Sequence, residues 1–72
     1  MSEAPGGGPV LVVIPTYDER RNLPRLVPDV LDLDPRIEIL VVDDNSPDGT
    51  GEVAECLARE HPGRVHVLHR EG

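Results

Sequence analysis

The sequence has no tryptophan and no phenylalanine, and Tyr17 is its only aromatic residue. A complete, independent core normally carries more aromatic bulk, so the chain is expected to be part of something larger. Cys56 is the only cysteine. That excludes a disulfide framework within one chain and agrees with a reducing compartment. Lysine is absent too: all seven basic residues are arginine, and they are scattered rather than clustered. Fourteen acidic residues outweigh them, giving a formal net charge of −7. This balance argues against nucleic acid as a partner and against non-specific binding to an anionic membrane. No apolar run approaches the ~20 residues of a membrane span. The opening stretch MSEAPGGGP has neither a basic nor an apolar region of the kind a signal peptide needs.

At 72 residues the chain is at most one small domain. A chain of this size buries only roughly 60% of its unfolded surface. Residues 1–9 are rich in glycine and proline and are expected to form a disordered tail, with the domain running over 10–72. A phosphate loop at the three glycines is disfavoured, since no strand precedes them and no lysine follows.

Residues 10–14, VLVVI, read as a strand buried on both faces and ended by Pro15. Asn22 is a candidate helix cap, and Leu23, Leu26, Val27, Val30 and Leu31 follow at helical spacing. Pro28 predicts an irregular helix. Residues 37–42, IEILVV, form a second strand, and 43–49 a loop of turn formers. Thr50 is the expected cap of a second helix, whose apolar face is Val53, Ala54, Leu57 and Ala58. Cys56 reads as a small packed residue on it. Pro62 and Gly63 stop the helix, and 64–68, RVHVL, is a third strand. The order β-α-β-α-β with short connections predicts an α/β fold: half of a doubly wound, mainly parallel sheet.

Ligands of such sheets bind outside the carboxyl ends of the strands. Two loops emerge there, PTYDER and DDNSPDGT, and both carry acids. Glu19, Asp43, Asp44 and Asp48 are expected to share one rim. Carboxylates there accept hydrogen bonds from a base or from ribose hydroxyls, ligate Mg²⁺ or Mn²⁺, or act as general bases. They repel phosphate directly, so a nucleotide would turn its base and sugar toward them. Tyr17 offers a ring for stacking. The plainer roles are a solvated turn at Asp43 and Asp48, helix entry at Glu19 and core packing at Tyr17. Asn45 and Ser46 read as bonding the local backbone. His61, His66 and His69 are too dispersed for a metal set.

Three classes compete. A dinucleotide-binding domain is suggested by GTGEVA, which fits G-x-G-x-x-A at a helix start. Yet six residues separate it from its strand, and their acids would repel a pyrophosphate. A phosphorelay receiver, a signalling module, is suggested by ILVVDDN. That motif belongs on a first strand, and no phosphate-accepting aspartate ends the strand after it. The third takes in both loops, and a non-catalytic interaction fragment is the residual alternative.

Taken together, VVIPTYDERRNLPRLV and ILVVDDNSPDGTGEVAECLA closely resemble the N-terminal part of family 2 glycosyltransferases with the GT-A fold. Within them, PTYDERRNLP and DDNSPDGT are most similar to polyprenol-phosphate (dolichol-phosphate) mannosyltransferases. The resemblance implies that Pro15, Tyr17 and Glu19 line the base and ribose of a nucleotide sugar, usually GDP-mannose. It implies that Val42 and Asp44 complete the pocket, with Asp44 on the base and Asp43 supporting the loop. The implied reaction is an inverting mannose transfer to a polyprenyl phosphate. The implied cofactor is Mg²⁺ or Mn²⁺, with its main ligands beyond residue 72. No metal ligand and no catalytic residue is expected within the chain, which alone is expected to be inactive. The implied location is cytoplasmic, peripheral at the membrane's cytoplasmic face.

Overall fold

The computed structural model describes residues 8–71. Most of the expected tail therefore lies outside the described residues; Gly8 and Pro9 are exposed and outside regular structure. Five elements alternate: β1 (Val10–Thr16), α1 (Leu23–Leu31), β2 (Ile37–Asp43), α2 (Thr50–Glu60) and β3 (Val65–His69). β1 pairs with β2, and β2 with β3, both in parallel, so the sheet order follows the chain.

A sheet that grows in one direction through right-handed crossovers places its helices on one face. α1 and α2 accordingly touch each other. Ile37, Ile39 and Val41 of β2 turn to that face and are buried, and the residues between them are only half-buried. Leu23, Val27 and Leu31 of α1, Ala54 and Leu57 of α2, and Val65 of β3 close the core. The far end of α1 is secured by Arg64. Its guanidinium donates to the carbonyls of Leu31, Asp34 and Ile37 at 3.0–3.2 Å, tying the last carbonyl of α1, which the helix end leaves unpaired, to the turn and to the start of β2.

β1 departs from the expected two-sided burial. Leu11 and Val13 are 57% and 53% exposed, because both helices cover the opposite face. β1 also has no partner on its outer edge among the described residues. That edge explains a second departure: Pro15 does not end the strand, which runs on to pair Thr16 with Asp43. Val10 N–H points to β2, donating to Arg36. Strand alternation then turns position 15 outward, where a missing N–H breaks no ladder bond.

The helix ends differ from expectation in detail. α1 is helical through Pro28 without a break. Asn22 stands at its cap position, but its side chain donates to Glu19 Oε1 at 2.8 Å instead of capping. In α2 the cap residue is Gly49, at φ 91°, and Thr50 is the first helical residue, fully buried. Cys56 is exposed rather than packed, its Sγ accepting from Arg59 at 3.3 Å.

Candidate functional site

The carboxyl ends of β1 and β2 are stitched together where the two acidic loops begin. The Thr16 hydroxyl donates to the Val42 carbonyl at 3.2 Å. The Asp44 N–H donates to the Thr16 carbonyl at 3.1 Å, and the Arg70 N–H to the Asp43 carbonyl at 2.8 Å. Pairing of Pro15 with Val42 sets these side chains level on the helix-free face of the sheet.

A pocket of about 230 Å³ opens there, lined by Pro15, Thr16, Tyr17, Val42, Asp44 and Arg70. Four of the five sequence-predicted residues thus meet in one place. Glu19, the fifth, lines an adjoining hollow with Asn22, Leu23 and Leu26, separated only by Pro15 and Thr16, which border both. Tyr17 is 56% exposed, so its ring is available for stacking rather than packed in the core. The volume falls below the ~300–1,000 Å³ of complete small-molecule sites, which is room for part of a ligand.

The four acids do not share one rim. Asp44 is exposed at the pocket, while Asp43 is 4% exposed and accepts from Ser46 Oγ at 2.5 Å. Asp48 is taken up by protein partners, accepting from the Thr50 hydroxyl and N–H through Oδ1 and from the Arg20 N–H of the first loop through Oδ2. The Thr50 hydroxyl, above all, holds the Asp48 carboxyl below the usual carboxylate range. Ser46 bonds across to the first loop rather than to local backbone, accepting from the Asp18 N–H at 3.1 Å. Periodicity hides such partners, because they lie 28 residues away in sequence.

Arg70 was not among the predicted site residues. The available signal was its position, one residue past β3 and therefore on the same rim. It brings a positive charge to a lining that otherwise offers only the Asp44 carboxylate.

A second cleft, about 510 Å³, lies on the other side of Asp43 against α2 and β3. Its lining includes Asp43, Glu52, Glu55 and His69, a set that repels phosphate. Nor does it suit the divalent cation implied by the resemblance. His69 contacts Glu55 through Nε2 at 2.6 Å and approaches Asp43 through Nδ1 at 3.9 Å. A neutral imidazole offers a cation one lone pair, and its two nitrogens point apart, toward different carboxylates. Among the described residues no group of three or more His, Cys, Asp or Glu could hold a metal ion.

A parallel α/β unit of this order has the topology of half of an open doubly wound domain, and its pocket lies outside the carboxyl ends of adjacent strands, where ligands of such domains bind. Residues 11–72 match the glycosyl transferase family 2 domain, and the chain belongs to that family. Its element order is that of the N-terminal part of the GT-A fold. The chain is 60% identical over 60 residues to a polyprenol monophosphomannose synthase of Mycolicibacterium smegmatis, covering 83% of this chain and 23% of that protein. It is 52% identical over 61 residues to an undecaprenyl-phosphate mannosyltransferase of Micrococcus luteus, covering 85% and 25%. A dolichol-phosphate mannosyltransferase of Pyrococcus furiosus is 45% identical over 58 residues, covering 78% and 16%. The chain thus spans at most about a quarter of the length of these relatives. No solved structure gives a significant match. The family match sets aside the receiver and dinucleotide-binding readings. Among the described residues no helix is long and apolar enough to cross a membrane.

Proposed function

We propose that this chain is the nucleoside-binding part of a glycosyltransferase that moves mannose from GDP-mannose to a polyprenyl phosphate. The observation that carries the reading is the convergence of Pro15, Tyr17, Val42 and Asp44 on one pocket. The names of the three relatives support the mannose and polyprenyl phosphate.

In this reading Tyr17 stacks on the base and Asp44 accepts from its N–H edge. Pro15 and Val42 form the apolar wall, and Glu19 meets the ribose from the adjoining hollow. Arg70 faces the electron-rich side of the nucleotide. A phosphate oxygen of the acceptor attacks the anomeric carbon of mannose from the face opposite the donor diphosphate. The bond from that carbon to the diphosphate oxygen breaks, GDP leaves, and the configuration inverts. The acceptor phosphate is already ionised, so the step needs no strong base. The described residues do not build a metal site, and no step here is routed through one. Domain limits of 10–72, and a location at the cytoplasmic face of a membrane where the acceptor's phosphate would be met, go with the same reading.

Titration of GDP into the chain, followed by Tyr17 fluorescence, tests the pocket. A saturable change supports it, and its absence at millimolar GDP counts against it. Turnover with GDP-mannose, Mg²⁺ and a polyprenyl phosphate should be undetectable from these 72 residues alone.

A further inference from the structure

Three consecutive backbone amides of the first loop are each held by a side chain of the second. Asp18 N–H donates to Ser46 Oγ at 3.1 Å, Glu19 N–H to Thr50 Oγ1 at 2.9 Å, and Arg20 N–H to Asp48 Oδ2 at 3.3 Å. The Arg20 guanidinium adds a bond to the Asp48 carbonyl at 3.4 Å. Both hydroxyls are themselves oriented by carboxylates. Ser46 donates its proton to Asp43 Oδ1, and Thr50 donates to Asp48 Oδ1. A hydroxyl whose proton is committed in this way presents its lone pairs to the incoming amide.

The clasp fixes the backbone between Tyr17 and Glu19. Asp18 has φ 56°, in the left-handed region that few L-residues other than asparagine and aspartate adopt. Tyr17 and Glu19 flank it directly. Loss of these bonds removes the hold of the second loop on the segment that carries Tyr17 to the pocket and Glu19 to the adjoining hollow.

We propose that Ser46, Asp48 and Thr50 are positioning residues for nucleoside binding, fixing Tyr17 and Glu19 relative to Asp44 before ligand arrives. None of the three lines the pocket that holds Tyr17 and Asp44; they act through the first loop. The proposal rests on the nucleoside reading of that pocket. It also explains the use of two adjacent acids: Asp43 orients Ser46 inward, leaving Asp44 for the ligand. Preorganisation of this kind raises affinity by removing the ordering cost of the loop.

The test is calorimetric titration of the full chain with GDP, alongside amide hydrogen exchange. Ser46→Ala should weaken GDP roughly threefold to tenfold, the weight of a single hydrogen bond, and Thr50→Val at least as much. Ser46→Thr and Thr50→Ser, which keep the hydroxyls, should retain affinity within about twofold. Exchange at residues 18–20 should accelerate in Ser46→Ala by more than any uniform acceleration in β2 and α2 that accompanies loss of the Asp43 hydrogen bond. In a Tyr17→Ala background the Ser46→Ala penalty should shrink, since the hydroxyl acts through that loop. Thr50 is fully buried, so Ser46→Ala, at a half-buried site, is the deciding variant. Wild-type binding with an unchanged Ser46→Ala affinity overturns the positioning role and leaves the pocket reading intact. Absence of GDP binding by the wild-type chain overturns the pocket reading and the positioning role together.

Discussion

The Ser46 hydroxyl donates to the Asp43 carboxylate at 2.5 Å, and this contact separates the two acids of the pair. Asp43 is buried and serves the protein interior, whereas Asp44, one residue on, is exposed at the pocket. Neighbours with the same chemistry therefore have different consequences when changed. Asp43→Asn should destabilise the fold by about 1–3 kcal/mol, the cost of disturbing a buried charged hydrogen bond. Asp44→Asn should leave the unfolding midpoint nearly unchanged and weaken GDP roughly tenfold, the effect of losing a charge-assisted bond. Urea unfolding and GDP titration of both variants separate the two roles.

Gly51 sits where α2 passes closest to Asp43. A Cβ there would lie 2.8 Å from Asp43 Oδ2 and 3.1 Å from His69 Cε1. Alanine normally strengthens a helix, but the approach of a buried carboxylate reverses the sign here. Gly51→Ala should cost about 1–3 kcal/mol, as overpacking does. For a chain of this length that lowers the melting temperature by about 4–8 °C per kcal/mol, measurable by circular dichroism.

Acid should weaken the fold in a defined window. The Arg36 guanidinium, hydrogen-bonded to the Asp34 side chain, lowers its pKa from 3.8 to about 2. A carboxyl whose folded pKa is depressed contributes stability above its unfolded pKa and loses it as pH falls through the folded value. The contribution is thus complete above about pH 4 and gone below about pH 2. Asp48, lowered chiefly by the Thr50 hydroxyl, acts in the same direction. Urea midpoints measured from neutral pH to pH 2 should fall more gently in Asp34→Asn than in the wild type.

The exposed face of β1 should govern solubility. Leu11 and Val13 lie on the face of the sheet that the helices leave open, beside the outer edge of β1, which has no partner among the described residues; Leu68 is exposed on the same face across β2, on β3. An apolar strand edge of this kind is a template for association. Val13→Lys should reduce self-association in light scattering and change stability by no more than about 0.5 kcal/mol, as expected for an exposed position.

The fold was legible because each apolar run is bounded by turn formers. IEILVV, between DPR and DDNSPD, admits little but a buried strand. Pocket membership was legible for Pro15, Tyr17, Val42 and Asp44, because two long motifs carry them together. What escaped depends on partners remote in sequence. Continuation of β1 through Pro15 depends on which edge that residue faces, a property of the pairing with β2. Thr50 looks like a helix cap locally, but its hydroxyl donates to Asp48 and accepts from the Glu19 N–H, 31 residues away, a partner that local sequence does not show. Arg70 becomes visible once β3 is set beside β2. Leu11 and Val13 carry the composition of a strand covered on both faces, but the described helices cover one.

Chemical-shift mapping of the ¹⁵N-labelled chain with GDP tests the central claim most directly, since it distinguishes the two clefts on either side of Asp43. The account predicts the largest perturbations at Tyr17, Glu19, Val42, Asp44 and Arg70, with Gly51, Glu52 and Glu55 little changed. Perturbations centred on Gly51, Glu52 and Glu55, or none at all at saturating GDP, would contradict it.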